Sequence, residues 1–266
     1  MDAHVELTAM SPTAREKNPQ IQPATAIVPS PRQLSQRYAQ PFDKADKRPR
    51  IALVVTEAED LTAAAIQLLP GAITLALDPY ARKLPQWMAL ARIRGHEVLL
   101  ALSAPPSVEA GHDAAPSILA SPDPRENLDR LDWALSRAAG YVGVLDLSGR
   151  STDAHGLPIR SALERRGLML VASGVVPESG GLSSVSFDAV LGSPQPGGAL
   201  DKNLGQLEAR AMRKGSAFAI AVGTKDNLRR IASWTNGLKR KGIALAPASA
   251  FVGAAPRGGE QQEARQ

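Results

Sequence analysis

The sequence contains no cysteine, which excludes disulfide bonds, zinc sites built on thiolates and a thiol nucleophile. Aromatic residues make up only 4% of the 266 residues, so the core is expected to consist of Ala, Leu, Val and Ile. No apolar run approaches the roughly 20 residues of a membrane span, and the N-terminus lacks the basic-then-apolar pattern of a signal peptide. We therefore expect a soluble protein without a visible export signal.

The charge is positive but spread along the chain. The formal net charge is +5 and the pI is about 9.7, a balance that raises the question of a polyanionic partner such as nucleic acid or an acidic membrane surface. Basic residues are dense only at 44–50 and 239–241, and neither segment carries aromatic residues for base stacking. We interpret both segments as solvated basic edges and do not expect a nucleic-acid partner.

The composition changes near both ends of the chain. Residues 1–49 are rich in Pro, Ser, Gln and Ala without a sustained period, which is typical of a disordered arm or linker. The polar, glycine-containing residues 254–266 predict a disordered tail. The remaining residues, 50–253, predict one domain of about the size of a β/α barrel.

Within this domain, short aliphatic runs alternate with amphipathic helical segments, a pattern typical of βαβ units and a parallel sheet. The predicted strands cover residues 51–55, 72–77, 97–102, 141–147, 168–172, 187–191, 217–222 and 243–248. Four of the helices between them are predicted to end at a glycine shortly before the next strand, at Gly95, Gly167, Gly215 and Gly242. Asp123 or Ser121 is predicted to cap the helix that begins near residue 124.

The turn after the first strand distinguishes two possible folds. A doubly wound sheet usually carries a glycine-rich phosphate turn at this place, and VVTEAEDL contains no glycine. We therefore predict an α/β fold in which about seven or eight parallel strands form a TIM-like, deformed β/α barrel.

In such a barrel, functional side chains lie where the strands end and in the loops that follow. Thr56 and Glu57 follow the first strand. The candidates for a polar binding cleft are Asp78, Tyr80, Asp146, Ser173 and Lys225. Several candidates also have a structural interpretation: Glu57 stabilises the start of the next helix, Asp78 begins a turn, and Asp146 accepts hydrogen bonds from loop amides.

None of the four histidines lies at the end of a predicted strand, where a catalytic or metal-binding histidine is expected. His4 lies in the arm. His96 opens the third strand and is predicted to make a structural hydrogen bond at the opposite end of the barrel. His112 and His155 lie in loops, and they are the remaining candidates for a metal site together with Glu57.

Six stretches carry a family resemblance when they are taken in order. They are RPRIALVVT, LPGAITLALDPYAR, ARIRGHEVLLAL, ENLDRLDWALSRAAGYVGVLDLSG, ERRGLMLVASG and IASWTNGLKRKGIALAPASAFV. Together they resemble the divergent polysaccharide deacetylase family, a branch of the glycoside hydrolase/deacetylase β/α-barrel superfamily, and GHEVLL and GYVGV are the specific phrases. The resemblance implies a relation to carbohydrate metabolism and a setting in the cell envelope or periplasm.

The resemblance also implies a metal site, and this chain departs from it. Deacetylases of this fold use two aspartates after the first strand, one as a base and one as a metal ligand, with histidines completing the site. The matching pair here is Thr56 and Glu57, and threonine cannot act as the base. Where the family has acidic, histidine or other polar groups, this chain has Pro105, Leu147, Ala172 and Thr224.

We therefore expect a degenerate metal site, with no assignable catalytic residue and no cofactor. The expected function is non-catalytic binding of a polysaccharide or peptidoglycan fragment, or of a protein partner. The alternative is an active metal-dependent polysaccharide N-deacetylase, which would hydrolyse the amide C–N bond of acetylated sugars with a divalent metal such as zinc. That enzyme would use Glu57 with Asp146 or a loop histidine.

Overall fold

The computed structural model describes residues 33–57, 62–102, 118–177, 181–192 and 199–253, and for Gln33 and Glu57 it describes the backbone alone. The disorder predicted for 1–32 and 254–266 therefore concerns residues outside this description. The described strands are β1 (Arg50–Glu57), β2 (Thr74–Leu77), β3 (Val98–Ala101), β4 (Gly143–Asp146), β5 (Met169–Ala172), β6 (Ser184–Ser186), β7 (Ala189–Leu191), β8 (Ser216–Gly223) and β9 (Ala244–Leu245). The described helices are α1 (Gln33–Tyr38), α2 (Thr62–Leu68), α3 (Leu84–Ile93), α4 (Pro124–Ser136), α5 (Leu157–Arg165), α6 (Ala199–Lys214) and α7 (Lys225–Leu238).

The strands form one parallel sheet in the order β6-β5-β4-β3-β2-β1-β8-β7, and β9 pairs with the start of β1. β6 hydrogen-bonds to β5, and β7 hydrogen-bonds to β8, although only Phe187 and Asp188 separate β6 from β7 in the chain. This segment therefore connects the two edges of the sheet, and the sheet curls into a barrel. The predicted α/β barrel of parallel strands is confirmed.

Each predicted strand overlaps a strand of the structure, but two of them need correction. The predicted strand 187–191 keeps only its last three residues as β7, and β6 before it was not predicted. β6 reads Ser-Val-Ser and is only partly buried, so it lacks the apolar run that marked the other strands. The predicted strand 243–248 shortens to β9, because Pro247 has no N–H to donate to the sheet and a 3-10 turn, Ala248–Phe251, follows.

Alternate residues of each strand face two hydrophobic layers, as the pleat of a strand requires. In β1, Leu53 and Val55 pack in the outer layer between the sheet and the helices, while Val54 packs in the barrel interior. The rings of Phe218 and Phe251 stack in that interior with their centroids 5.4 Å apart. Both faces of the sheet are therefore buried from solvent, which explains why the strands are nearly continuous apolar runs.

The helix ends follow the predicted signals. All four glycines predicted to end helices adopt a positive φ, between 64° and 82°. Asp123 caps α4, since its carboxylate accepts the backbone N–H of Arg125 at 2.9 Å. Within the described part of the chain, no helix is both long and apolar enough to cross a membrane.

Residues 33–49, which we predicted to lie in a disordered arm, instead cover the lower end of the barrel, where the strands begin. They include α1, and the backbone N–H of Ser35 donates to the carbonyl of Gly167 at 3.1 Å. Tyr38 and Phe42 pack against the barrel interior. The prediction is wrong for these residues because their few apolar side chains are buried on a neighbouring surface, which local composition does not reveal.

Candidate binding site at the upper end of the barrel

Thr56 lies close to the upper end of the barrel, where the strands finish. Its partners in the sheet are Ala76 of β2 and Val222 of β8, and the alternation along β1 puts its side chain on the interior side. Only 1% of the residue is exposed. Glu57 continues the strand, and its side chain lies outside the described structure. A threonine hydroxyl therefore occupies the interior position at this strand end.

Asp78 and Tyr80 form a tight turn after β2. The Asp78 carboxylate accepts the backbone N–H of Tyr80 at 2.8 Å, which is typical of a turn begun by aspartate. The Tyr80 ring packs on Trp133 of α4 with the centroids 4.7 Å apart, and partial burial raises the pKa of the Tyr80 phenol. Trp133 is 41% exposed, and the guanidinium of Arg137 lies over its ring, 5.5 Å from the centroid, so the aromatic pair is only partly open to solvent.

Asp146 is fully buried and holds the loop that follows β4. One carboxylate oxygen accepts both the backbone N–H of Ser148, at 2.8 Å, and its hydroxyl. The other accepts the backbone N–H of Ser151 at 2.8 Å. With 0% of the residue exposed, the side chain presents no atom to a ligand. This geometry matches the alternative interpretation, in which Asp146 binds loop amides.

Ser173 and Lys225 lie at the upper end on two other strands. Ser173 is half-buried directly after β5, and Lys225 is the exposed first residue of α7, which follows β8. Thr224 caps α7, since its hydroxyl accepts a backbone N–H of the first turn at 3.1 Å. Because β2 and β8 flank β1, Asp78 and Lys225 follow strands on opposite sides of Thr56.

Two of the positions that depart from the family pattern are apolar and buried or half-buried. Leu147 packs against the barrel interior. Ala172 is buried in the outer layer, so by alternation Ser173, the residue after β5, is on the interior side. Pro105 lies outside the described residues.

The described histidines do not form a metal site. His96 is buried at the lower end, with its ring nitrogens 2.8 and 3.3 Å from two backbone carbonyl oxygens, so its predicted structural role is confirmed. His155 has 82% of its side chain exposed and lies 3.9 Å from the carboxylate of Asp153, and His112 is outside the description. Among the described side chains, no group of three or more His, Asp or Glu could hold a metal ion. The described side chains alone therefore do not supply a complete ligand set for the divalent ion that the resemblance implies.

A cavity that we did not predict lies beside the helices that follow β3 and β4. It has a volume of about 180 Å³ and lies between the first turns of α4 and α5. Its lining residues are Leu119, Ser121, Pro122, Pro124, Asn127, Arg150, Asp153, His155, Gly156 and Ile159. No local motif marks these residues as neighbours, because the two walls come from separate loops.

The barrel and its upper end can be compared with known proteins. The family model described as divergent polysaccharide deacetylase matches residues 55–252. An uncharacterized protein from Agrobacterium tumefaciens C58 has a similar structure, with a TM-score of 0.71, 26% identity, and coverage of 82% of this chain and 94% of that one. No curated protein matches.

A second solved structure is similar in fold alone. It is the catalytic domain of a peptidoglycan N-acetylglucosamine deacetylase from Eubacterium rectale ATCC 33656, with a TM-score of 0.50 and 12% identity. The alignment covers 83% of this chain and 97% of that domain.

Proposed function

Because this chain belongs to the divergent polysaccharide deacetylase family, we propose that it binds a polysaccharide fragment at the upper end of its barrel without deacetylating it. The observation that carries this proposal is the interior position at the end of β1, where Thr56 is buried. The family resemblance implies a carboxylate base there. A threonine hydroxyl is not basic enough to take a proton from water at neutral pH, so the hydrolytic step lacks its base.

The surrounding side chains support the same conclusion. Leu147 offers no donor atom, and the Asp146 carboxylate is occupied by loop amides. Thr224 is engaged in capping α7. A divalent ion needs three or four converging nitrogen or oxygen ligands, and these residues do not supply them.

The polar and aromatic groups at the upper end suit a carbohydrate. Asp78, Ser173 and Lys225 provide acceptors and donors for sugar hydroxyls. The exposed part of the Tyr80–Trp133 pair, with the guanidinium of Arg137 over the Trp133 ring, provides apolar surface for the C–H face of a pyranose ring. The structural neighbour from Eubacterium rectale is a peptidoglycan N-acetylglucosamine deacetylase. Oligomers of N-acetylglucosamine are therefore the first ligands to test.

The proposal is tested by isothermal titration of the full chain with N-acetylglucosamine oligomers and with their deacetylated counterparts, alongside an acetate-release assay in the presence of divalent metal salts. We expect binding of an oligomer and no acetate. Lys225→Met should weaken binding roughly fivefold, the effect of losing one hydrogen bond at an exposed site. Lys239→Met, an exposed lysine at the lower end, is the matched control and should bind normally.

The alternative function is metal-dependent N-deacetylation with Glu57 as a participating carboxylate. Metal analysis of the purified protein distinguishes the two functions. One equivalent of zinc or a similar ion per chain, together with acetate release that Glu57→Gln abolishes, would establish the enzyme and overturn our proposal. The absence of heat with every oligomer would remove the binding function.

We further propose that the protein works in the cell envelope, where the family resemblance places its relatives. Fractionation of the natively expressed protein, tagged at its C-terminus, tests this. Recovery in the periplasmic or envelope fraction is expected, and recovery in the cytosol alone would contradict the proposed location.

A further inference from the structure

The cavity between α4 and α5 has an apolar floor and a charged rim. Leu119, Pro122 and Ile159 supply apolar surface, while Arg150 and Asp153 supply charged groups. Its volume of about 180 Å³ is below the roughly 300 to 1,000 Å³ of pockets that enclose drug-sized ligands. The space therefore suits a single small unit that has one apolar face and several polar groups.

Most polar atoms of the lining are already engaged with one another. The amide of Asn127 accepts the backbone N–H of Ser121 at 3.0 Å and donates to its carbonyl at 2.8 Å. One oxygen of Asp153 accepts the backbone N–H groups of His155 and Gly156 at 2.8 and 3.0 Å. These groups shape the cavity, but they have little hydrogen-bonding capacity left for a ligand.

Three side chains at the rim can still form hydrogen bonds with a ligand. The guanidinium of Arg150 is exposed and forms no ion pair or hydrogen bond with another described residue. The second oxygen of Asp153 and the exposed imidazole of His155 are also available. Several donors beside a carboxylate oxygen match vicinal hydroxyls, which both donate and accept. The negative charge of Asp153 opposes an anionic ligand at the same place.

The loop that carries these three side chains is held from below by two buried charged groups. Asp146 accepts the backbone N–H of Ser151 at 2.8 Å. Arg160, which is 5% exposed, donates to the carbonyls of Ser151 and Asp153 at 2.6 and 3.0 Å. The rim is therefore preorganised, and a ligand does not have to order it on binding.

We propose that this cavity is a carbohydrate subsite that takes one neutral sugar unit, separate from the site proposed at Asp78, Ser173 and Lys225. The apolar floor packs against the C–H face of the ring, and Arg150 and Asp153 hydrogen-bond its hydroxyls. This inference rests on the proposed carbohydrate-binding function, and it extends that function to a longer glycan with one unit held beside α4 and α5.

The test uses the full chain labelled with nitrogen-15 and titrated with N-acetylglucosamine and its tetramer. The Nε–H signal of Arg150 is assigned by its disappearance in Arg150→Met, a change at an exposed side chain that is expected to leave the fold intact. We expect both ligands to shift this signal, and we expect Arg150→Met to weaken tetramer binding about tenfold, the effect of a lost hydrogen bond to a charged group. Arg165→Met, at the opposite end of α5, is the matched control and should bind normally.

The outcomes separate this inference from the proposed function. If the tetramer binds and Lys225→Met weakens it, while the Arg150 signal stays unmoved at saturation, the subsite is overturned and the proposed function stands. If only the Arg150 signal moves and Lys225→Met has no effect, the subsite stands and the site proposed at Asp78, Ser173 and Lys225 is overturned. If no ligand moves any signal, both are overturned.

Discussion

The carboxylate of Glu97 accepts both the backbone N–H and the hydroxyl of Ser249, a residue 152 positions further along the chain. The same carboxylate accepts the backbone N–H of Gln40 at 2.8 Å. Glu97 directly precedes β3 at the lower end of the barrel and is 1% exposed. One buried side chain therefore fastens the segment before β1 and the turn after β9 to the same end of the barrel.

Replacement of Glu97 by glutamine should destabilise the protein. The amide keeps one acceptor oxygen, but its NH₂ group faces backbone N–H donors that have no other acceptor, and buried donors without partners are costly. We expect a loss of about 2 to 3 kcal/mol in the free energy of unfolding, measured by urea denaturation. Glu126→Gln, the same exchange at a side chain that is 51% exposed and paired with Arg130, should cost less than about 1 kcal/mol, the usual contribution of an exposed ion pair. Equal losses in both variants would contradict the fastening role.

The contribution of Glu97 should also depend on pH. Burial raises the pKa of this carboxyl above its usual value of 4.5, more than the hydrogen bonds from Ser249 and Gln40 lower it. The folded protein therefore holds the proton more tightly than the unfolded chain, so this contribution is complete below pH 4.5 and is lost as the pH rises through the folded pKa. The free energy of unfolding of the wild type and of Glu97→Gln is measured from below pH 4.5 upwards. The difference in favour of the wild type should shrink as the pH rises. A difference that grows with pH would show that folding lowers the pKa of Glu97 instead of raising it.

Gly143 explains the second glycine of the stretch GYVGV. A Cβ atom placed there would lie 2.0 Å from the carbonyl oxygen of Met169 on the neighbouring strand, a distance that only movement of the backbone could relieve. We expect Gly143→Ala to cost about 3 kcal/mol or more, or to prevent folding. Thermal unfolding measures the effect.

At Gly205, substitution by alanine should have the opposite effect on stability. It lies within α6, and a Cβ atom there would have nothing within 4 Å. Gly205→Ala should therefore stabilise the protein by about 0.5 to 1 kcal/mol, because alanine restricts the unfolded chain and favours the helix. If Gly143→Ala were as well tolerated as Gly205→Ala, the close packing of β4 against β5 would be refuted.

Loss of the Asp146 charge should loosen the loop after β4. In Asp146→Asn, the amide nitrogen replaces an oxygen that accepts a backbone N–H of Ser148 or Ser151. We expect faster hydrogen exchange across residues 147–156 by at least about tenfold, which corresponds to roughly 1.4 kcal/mol of local stability. Asp153→Asn should not do this, since asparagine also caps helices well. Unchanged exchange in Asp146→Asn would show that the loop is held by other contacts.

Much of the fold could be predicted from local patterns. The apolar runs located the main strands, and the glycines at 95, 167, 215 and 242 marked helix ends because a left-handed residue is a local requirement. β6 was not predicted because Ser-Val-Ser contains no apolar run. Its position is determined by its pairing with β5 at the edge of the sheet. The helix at 33–38 was missed for a similar reason, since its burial depends on the surface beneath it.

The candidate site was predictable in its location but not in the orientation of its side chains. Strand ends predicted that Asp78, Ser173 and Lys225 share one end of the barrel, and each of them follows a parallel strand of the same sheet. Asp146 follows the same rule, yet its side chain is buried beneath its loop. The cavity with Arg150 and Asp153 could not be predicted, because its walls are adjacent only after α4 and α5 have packed side by side.

The sequence by itself determined the α/β class, the order of the main elements and the family, because periodicity, helix ends and motif spacing are properties of neighbouring residues. The tertiary structure decided what each polar residue does. The hydrogen-bond partners of Glu97 come from two distant segments. The Asp146 side chain is buried, whereas Arg150 is exposed. The physical reason is that a buried polar group must find a hydrogen-bond partner, and which atoms come within reach is settled only when the whole chain has packed.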